Sequence, residues 1–372
     1  MQEIVQPVTT HSMAFAPVAS RFARYLLTLT VPAAAATFSL TGPHSWQASS
    51  AFIALVVAHV LADRFAPVSR EAPIEGEPAW LYDGLLNLLG ILQLVNVVLV
   101  CRMIGMVELT TAAGALDLIA ATVLVGTSSG LSGIVVAHEL MHRPQAGKQL
   151  LSRFIMGSVF YEHFFTEHIR GHHVNIGKHE DGATARYGET FKEFWLRTVP
   201  AQFRSAWNIE VKRNGLEGVP VLHARQLHNR VVQGILGELA FAASMGALFG
   251  IGGVVMFFAQ AYWSVRLLEA VNYFEHWGLQ RQGRKVQPVD SWDTESSFTR
   301  FGLVGLSRHA DHHAYASRPY QKLRHFEQSA KYPGGYLSMV CTVVMRNERF
   351  QEIATAELKA RKLGPFAEAQ AA

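Results

Sequence analysis

The sequence predicts an all-α membrane protein, with six transmembrane helices joined to a helical cap on the cytoplasmic side. Three observations lead there. Of 372 residues, 49% are hydrophobic and only 17% charged, which is not the composition of an ordinary soluble domain. The apolar residues gather into six runs, at about 22–41, 48–62, 85–106, 114–137, 234–256 and 257–276, and crossing a bilayer core takes about 20 helical residues. The loops that six spans would leave outside, 42–47, 107–113 and the Gly250 region, hold no Lys or Arg, whereas basic residues collect on the cytoplasmic side.

Each element follows in order. Residues 1–21 lack the basic-then-apolar pattern of a cleaved secretion signal and are expected to form a short cytoplasmic tail. Residues 22–137 supply four spans, the second of them short, with His59 and Asp63 near its end. Residues 138–233 form a cytoplasmic segment. Within it, 150–165 is apolar but interrupted by Arg153, Glu162 and His163, as in a helix lying at the interface or against the bundle. The stretch 189–213 sets Phe191, Phe194, Trp195, Phe203 and Trp207 among charges. It predicts an amphipathic helix, either in the headgroup layer or packed on the cap. Spans five and six, 234–276, are divided by the Gly250, Gly252 and Gly253 stretch, which suits a tight hairpin. Residues 277–352 make a second cytoplasmic segment, and 353–372 a polar, Ala-rich tail.

Charge and cysteine content exclude several classes. Of 33 Lys and Arg, 13 lie between 138 and 233 and 14 after 276. The net charge of +4 therefore reflects topology beside a lipid bilayer, and no basic stripe or nucleic-acid-binding module is present. The two cysteines, Cys101 and Cys341, allow no disulfide framework, zinc–thiolate site or iron–sulfur cluster. Electrons for any redox metal must come from a separate protein.

Four motifs follow the apolar runs and hold nine of the 17 histidines: His138-Glu-Leu-Met-His142, His168-Ile-Arg-Gly-His172-His173, Asn272-Tyr-Phe-Glu-His276 and His309-Ala-Asp-His312-His313. Nine imidazoles in one layer are costly to bury without metal and too many for one ion. Two metals are expected. His138 and His142, like His168 and His172, are four apart and stack on one helical face. His173 falls about 100° further round and can reach a second ion. His309 and His312 share a face, with His313 four residues from His309. Zinc, iron, copper and nickel all accept imidazole; open positions for dioxygen chemistry suit iron, since zinc has no redox chemistry. A zinc intramembrane protease needs one such pair and a third ligand. A metal transporter or sensor would spread polar residues through the spans, which are interrupted mainly by Asn87, Gln93, Asn96 and Asp117.

These motifs carry a resemblance. The runs Glu167-His-Ile-Arg-Gly-His-His-Val174, Glu180-Asp-Gly-Ala-Thr-Ala-Arg186, Asn272-Tyr-Phe-Glu-His-Trp-Gly-Leu279, Arg308-His-Ala-Asp-His-His313 and Arg318-Pro-Tyr-Gln-Lys-Leu-Arg-His-Phe326 resemble the integral-membrane non-haem di-iron alkane 1-monooxygenases, relatives of the membrane fatty-acid desaturases and of xylene monooxygenase. Residues 138–340 follow the pattern closely, and the membrane half matches mainly in hydropathy. The resemblance implies a six-helix bundle capped by a cytoplasmic, histidine-rich di-iron site in a bacterial inner membrane. It implies nine ligands: His138, His142, His168, His172, His173, His276, His309, His312 and His313. It further implies dioxygen as co-substrate, a rubredoxin or ferredoxin with its reductase as electron donor, and a hydrocarbon or fatty-acid substrate. The expected reaction is hydroxylation of a terminal C–H of a medium-chain alkane or alkyl compound. The alternative is a desaturase-like decarboxylase making terminal alkenes, or a fatty-acyl desaturase. Met141, Ala310 and Tyr315-Ala-Ser depart from the hydroxylase pattern.

Ligating histidines donate their second N–H to a carboxylate or carbonyl. Glu139, Asp181, Glu275 and Asp311 are the principal candidates for that role, with Glu167 and Glu180 beside them. His163, His179 and His325 are expected to be surface histidines, and His11, His44, His59, His223 and His228 structural ones. A basic residue at the end of the chain channel would favour an acid substrate; Arg102 and Arg266 are the residues to examine.

Overall fold

The computed structural model describes residues 15–367; His11 lies outside them. The first apolar run becomes the helices Phe15–Tyr25 and Thr30–Thr41, joined by a 3₁₀ turn, Leu26–Leu29. Pro32 explains the break. It has no N–H to offer four residues back, so the Thr28 carbonyl accepts instead from Ser132 Oγ at 3.3 Å. Ser45 caps the next helix, Trp46–Arg64, accepting from the Ala48 N–H, and Thr111 caps Ala112–Ser128 in the same way through Gly114. Between them runs Ala79–Gly105. Among the described residues four helices are long and apolar enough to cross a membrane: Trp46–Arg64, Ala79–Gly105, Ala112–Met141 and Arg230–His276.

The last of these is two helices. Gly250 takes φ 69° and ψ −164°, which only glycine adopts without strain, and the chain folds back on itself there. The Phe241 and Phe257 rings meet at 5.3 Å across the hairpin. Glu238 accepts from the Glu162 N–H, and Gln260 donates to the Ser158 carbonyl, so both arms grip one segment. The division falls at Gly250, within the glycine stretch. A Cβ on Gly105 would lie 2.4 Å from the Phe249 carbonyl oxygen, which fixes glycine where the third span passes the turn.

The cap is built from Ala146–Gly157, a broken helical stretch at 164–175, Phe191–Arg213, and the segment after His276. The 150–165 expectation is cut short: the helix ends at Gly157, and Phe160 turns with φ 55°. Phe191–Arg213 starts at a capping box of Thr190 and Glu193. It buries Phe191, Phe194, Thr198, Gln202, Ala206 and Glu210 along one stripe, so that face packs on protein.

Three expectations are corrected. Residues 15–25, assigned mostly to a free tail, are helical, with Arg21 only 1% exposed. The C-terminal tail is helical to Arg361, because Phe350, Ala354 and Leu358 recur every four residues and are all buried. The fold is also not purely helical. Trp292–Thr294 and Ala330–Tyr332 pair as short parallel strands, Trp292 opposite Ala330, framing the last histidine motif between them. Asp63, at the end of the second span, accepts from Ser296 Oγ, Thr299 Oγ1 and the Ser338 N–H. That one carboxylate pins the bundle to the cap.

Candidate metal centre

The nine histidines converge from four directions. His138 and His142 stand at the end of Ala112–Met141, just past a π-helical turn, Ser129–Ile134. His168, His172 and His173 surround a second π turn. His276 ends the hairpin's second arm, and His309, His312 and His313 lie on the short helix His309–Ala314.

Their ring nitrogens fall into two groups. His138, His142, His168, His173 and His312 form one. His172, His276 and His313 form the other, joined by His309, whose Nε2 lies 2.6 Å from His313 Nε2 and 3.4 Å from His276 Nε2. The two groups abut: the His173 and His313 rings are 4.5 Å apart.

Two pairings differ from the α-helical expectation. His168 shares a group with His173, at 3.0 Å between Nε2 atoms, while His172 turns to His313, at 3.4 Å. The cause is the π turn, whose i→i+5 closure brings residues five apart onto one face. On the last motif His309 and His313 stay together, and His312 crosses to the first group, since on a helix His313 lies about 40° from His309 and His312 about 60° to the other side.

Nitrogen-to-nitrogen gaps of 3.0 and 3.4 Å match the about 3.0–3.4 Å edges of a coordination shell with bonds near 2.1 Å. His142 Nε2 and His312 Nε2 are buried without a hydrogen-bond partner. Burial first, then repulsion among neighbouring imidazoles, holds His168, His173, His309, His312 and His313 well below the usual imidazole range. Buried and almost all imidazole, the donors fit two borderline transition-metal ions.

The carboxylates divide by what they touch. Asp181 Oδ2 lies 2.9 Å from His172 Nδ1 and also accepts from Thr184 Oγ1 at 2.6 Å. Burial opposes its charge, yet His172 and Thr184 hold the carboxyl below its ordinary value. Glu275 Oε2 is 3.2 Å from His309 Nε2, so it joins the second group as a possible oxygen donor. Glu139 turns away from the imidazoles, to Arg143 at 2.7 Å and the Tyr320 N–H. Asp311 is taken by Arg318 and Arg324. Glu180 is exposed. Glu167 is 1% exposed with one unpartnered oxygen, and burial first, then Asp181, pushes its carboxyl well up.

Among the other histidines, His163 is buried, its ring against Tyr161 and Phe203. It is not on the surface. His325 pairs with Glu295 at 2.7 Å. His59 bridges Thr30 and the Leu55 carbonyl, and His223 caps the turn at 224–228. Thr184 and Phe164, whose ring stacks on His168 at 5.0 Å, had no sequence signal beyond adjacency to the motifs.

An apolar slot runs to both groups. Leu131, Ile134, Val135, Leu267, Leu268, Val271, Leu303 and Leu306 form its walls; His138, His168, His309, Glu275 and Asn272 form its polar end. No Lys or Arg lines it. Arg266 lies over the Phe191 and Trp195 rings, and Arg102 is exposed at the end of its helix.

The chain is similar to several known proteins. Alkane 1-monooxygenase 1 of Pseudomonas aeruginosa is 40% identical over 222 residues, 58% of this chain and 57% of that protein. Alkane 1-monooxygenase 2 of Alcanivorax borkumensis is 36% identical over 244 residues, 63% and 62% of the two chains. The xylene/toluene monooxygenase hydroxylase component of Pseudomonas putida is 24% identical over 223 residues, 58% of each. The chain thus spans less than two thirds of the length of these relatives. Its apolar helices and these membrane-enzyme relatives make it an integral membrane protein. The fatty acid desaturase family model matches residues 114–342, which encloses every histidine of both groups, and the chain belongs to that family.

Proposed function

We propose that this protein is a membrane di-iron oxygenase that hydroxylates a terminal C–H of a medium-chain alkane or alkyl compound. Two iron ions, one per histidine group, would supply the redox chemistry that activates dioxygen. The overall balance is one C–H and one O₂, with two electrons and two protons, giving one alcohol and one water. The electrons come from a rubredoxin or ferredoxin with its reductase, because this chain's two cysteines are far apart and neither is paired. The observation that carries the reading is the apolar slot ending on histidines of both groups.

The residues' roles follow from where they stand. Leu131, Ile134, Leu267, Val271 and Leu306 exclude water and align a hydrocarbon chain end-on. Asp181 fixes the tautomer and direction of His172 through its Nδ1, whereas Glu275, beside the Nε2 of His309, would add an oxygen donor to the second group. Among the described residues no Lys or Arg lines the slot, so it offers a carboxylate head group no cationic side chain, which favours a neutral hydrocarbon over the decarboxylase alternative.

Six spans are proposed, at 22–41, 46–64, 79–105, 112–141, 230–249 and 251–276, with both termini and the cap in the cytoplasm of a bacterial inner membrane. The charge asymmetry of the loops supports that orientation.

The test is turnover in membranes containing the protein, supplied with either electron donor and its reductase, offered octane and dodecanoic acid in parallel. Octan-1-ol, lost on His312→Ala, supports the reading. Undecene from the acid with octane untouched moves the enzyme to the decarboxylase branch.

A further inference from the structure

Just before the last histidine motif two arginines are buried side by side, and among the described acids only Glu71 forms an ion pair with either, at 3.9 Å from Arg300. Arg300 and Arg308 are each 1% exposed. Both reach Ser69: Arg300 Nη1 donates to its hydroxyl at 2.7 Å, and Arg308 Nη2 to its carbonyl. Among the described residues Arg300 Nη2 and Arg308 Nε and Nη1 have no close hydrogen-bond partner, and the Tyr25 hydroxyl stands against Arg300 and Arg21.

Every acid within reach is already paired. Glu71 is 3.9 Å from Arg300, is 46% exposed, and gives both oxygens to Arg24. Glu77 faces Arg21 and Tyr82. Glu295 is held bidentately by Arg70 and by His325. Asp293 accepts from the Ala310 N–H and Ser329, with Lys331 at 3.8 Å. Two like charges are thus desolvated together. An uncompensated buried charge is among the costliest arrangements a fold can hold.

We propose that Arg300 and Arg308, bridged by Ser69, form a buried site for one small oxyanion that ties the segment preceding His309 to the 69–72 strap. Guanidinium forks match the paired oxygens of phosphate or carboxylate, which a spherical halide does not. The unpartnered N–H groups supply three donors to the anion, and Tyr25 a fourth. The site stands or falls independently of the reaction proposed for the metal centre.

The test uses the full-length protein in detergent. Its unfolding midpoint is followed as inorganic phosphate replaces chloride at constant ionic strength. A saturable rise is expected, absent in Arg300→Gln. Arg300→Lys keeps the charge but loses the fork, and should need about tenfold more phosphate for half the effect. It also carries the test if the glutamine variant fails to fold. A flat midpoint overturns the site, as does an equal rise in native protein and Arg300→Gln. Phosphorus that co-purifies and extracts into organic solvent identifies a lipid headgroup as the source; phosphorus that stays with the protein identifies the free ion. Either supports the oxyanion.

Discussion

Replacing Asp181 with Asn should loosen one metal and spare the other. The carboxylate makes three contacts, with His172 Nδ1 at 2.9 Å, Thr184 Oγ1 at 2.6 Å and the Ala183 N–H at 3.0 Å. Asn keeps the shape but can present its NH₂ group to His172, and it removes the negative charge that favours donation from Nδ1. A hydrogen bond to a charged group contributes about 1.5–3 kcal/mol, which corresponds to roughly 10–100-fold in affinity. His172 belongs to the group with His276, His309 and His313, whereas the other five histidines make no contact with Asp181. The assay is iron per chain after equilibration with increasing chelator. Native protein should release its two ions over a narrow range. Asp181→Asn should release the first at roughly 10–100-fold lower chelator strength and keep the second. Parallel loss of both ions, or unchanged release, would refute the assignment of His172 to its own group.

Other outcomes follow from the same geometry. Val271 lines the slot and is 8% exposed, so Val271→Phe should shorten the longest alkane accepted while leaving iron content intact; gas chromatography of a chain-length series checks this, and an unshifted profile counts against the slot. In metal-free protein, His309, His312 and His313 stay neutral well below the ordinary imidazole range because they are buried. The unfolded chain binds protons on them below about pH 6.5, so their stability contribution is complete above that pH and is lost as pH falls. The loss is about 1.4 kcal/mol per pH unit for each histidine. His312→Phe should remove one such increment from the slope of stability between pH 6.5 and 5.5, and an unaltered slope would contradict it. Leu358 is fully buried, so Leu358→Ala should destabilise by about 2–5 kcal/mol, read as a lowered unfolding midpoint; no change would make the last helix a detachable tail.

The four histidine motifs and the apolar runs were legible because both are local. A span is a run of apolar residues, and a metal motif is a spacing of donors. Most other details depended on partners remote in sequence. Glu139 and Asp311 sit inside motifs yet serve Arg143, Tyr320, Arg318 and Arg324, because side-chain direction is set by packing. Burial of Arg21 and of the last helix could not be read from composition, since polar segments become structural when one stripe meets the core.

By itself, the sequence determined a membrane-embedded, histidine-rich protein, since hydropathy over about 20 residues and imidazole spacing need no tertiary information. Only the tertiary structure decided which histidines stand together. That division rests on a π turn that moves His168 onto the face of His173, and on a six-residue helix that sends His312 one way and His313 the other. A change of about one residue in helical closure reassigns a ligand, and composition carries no record of it.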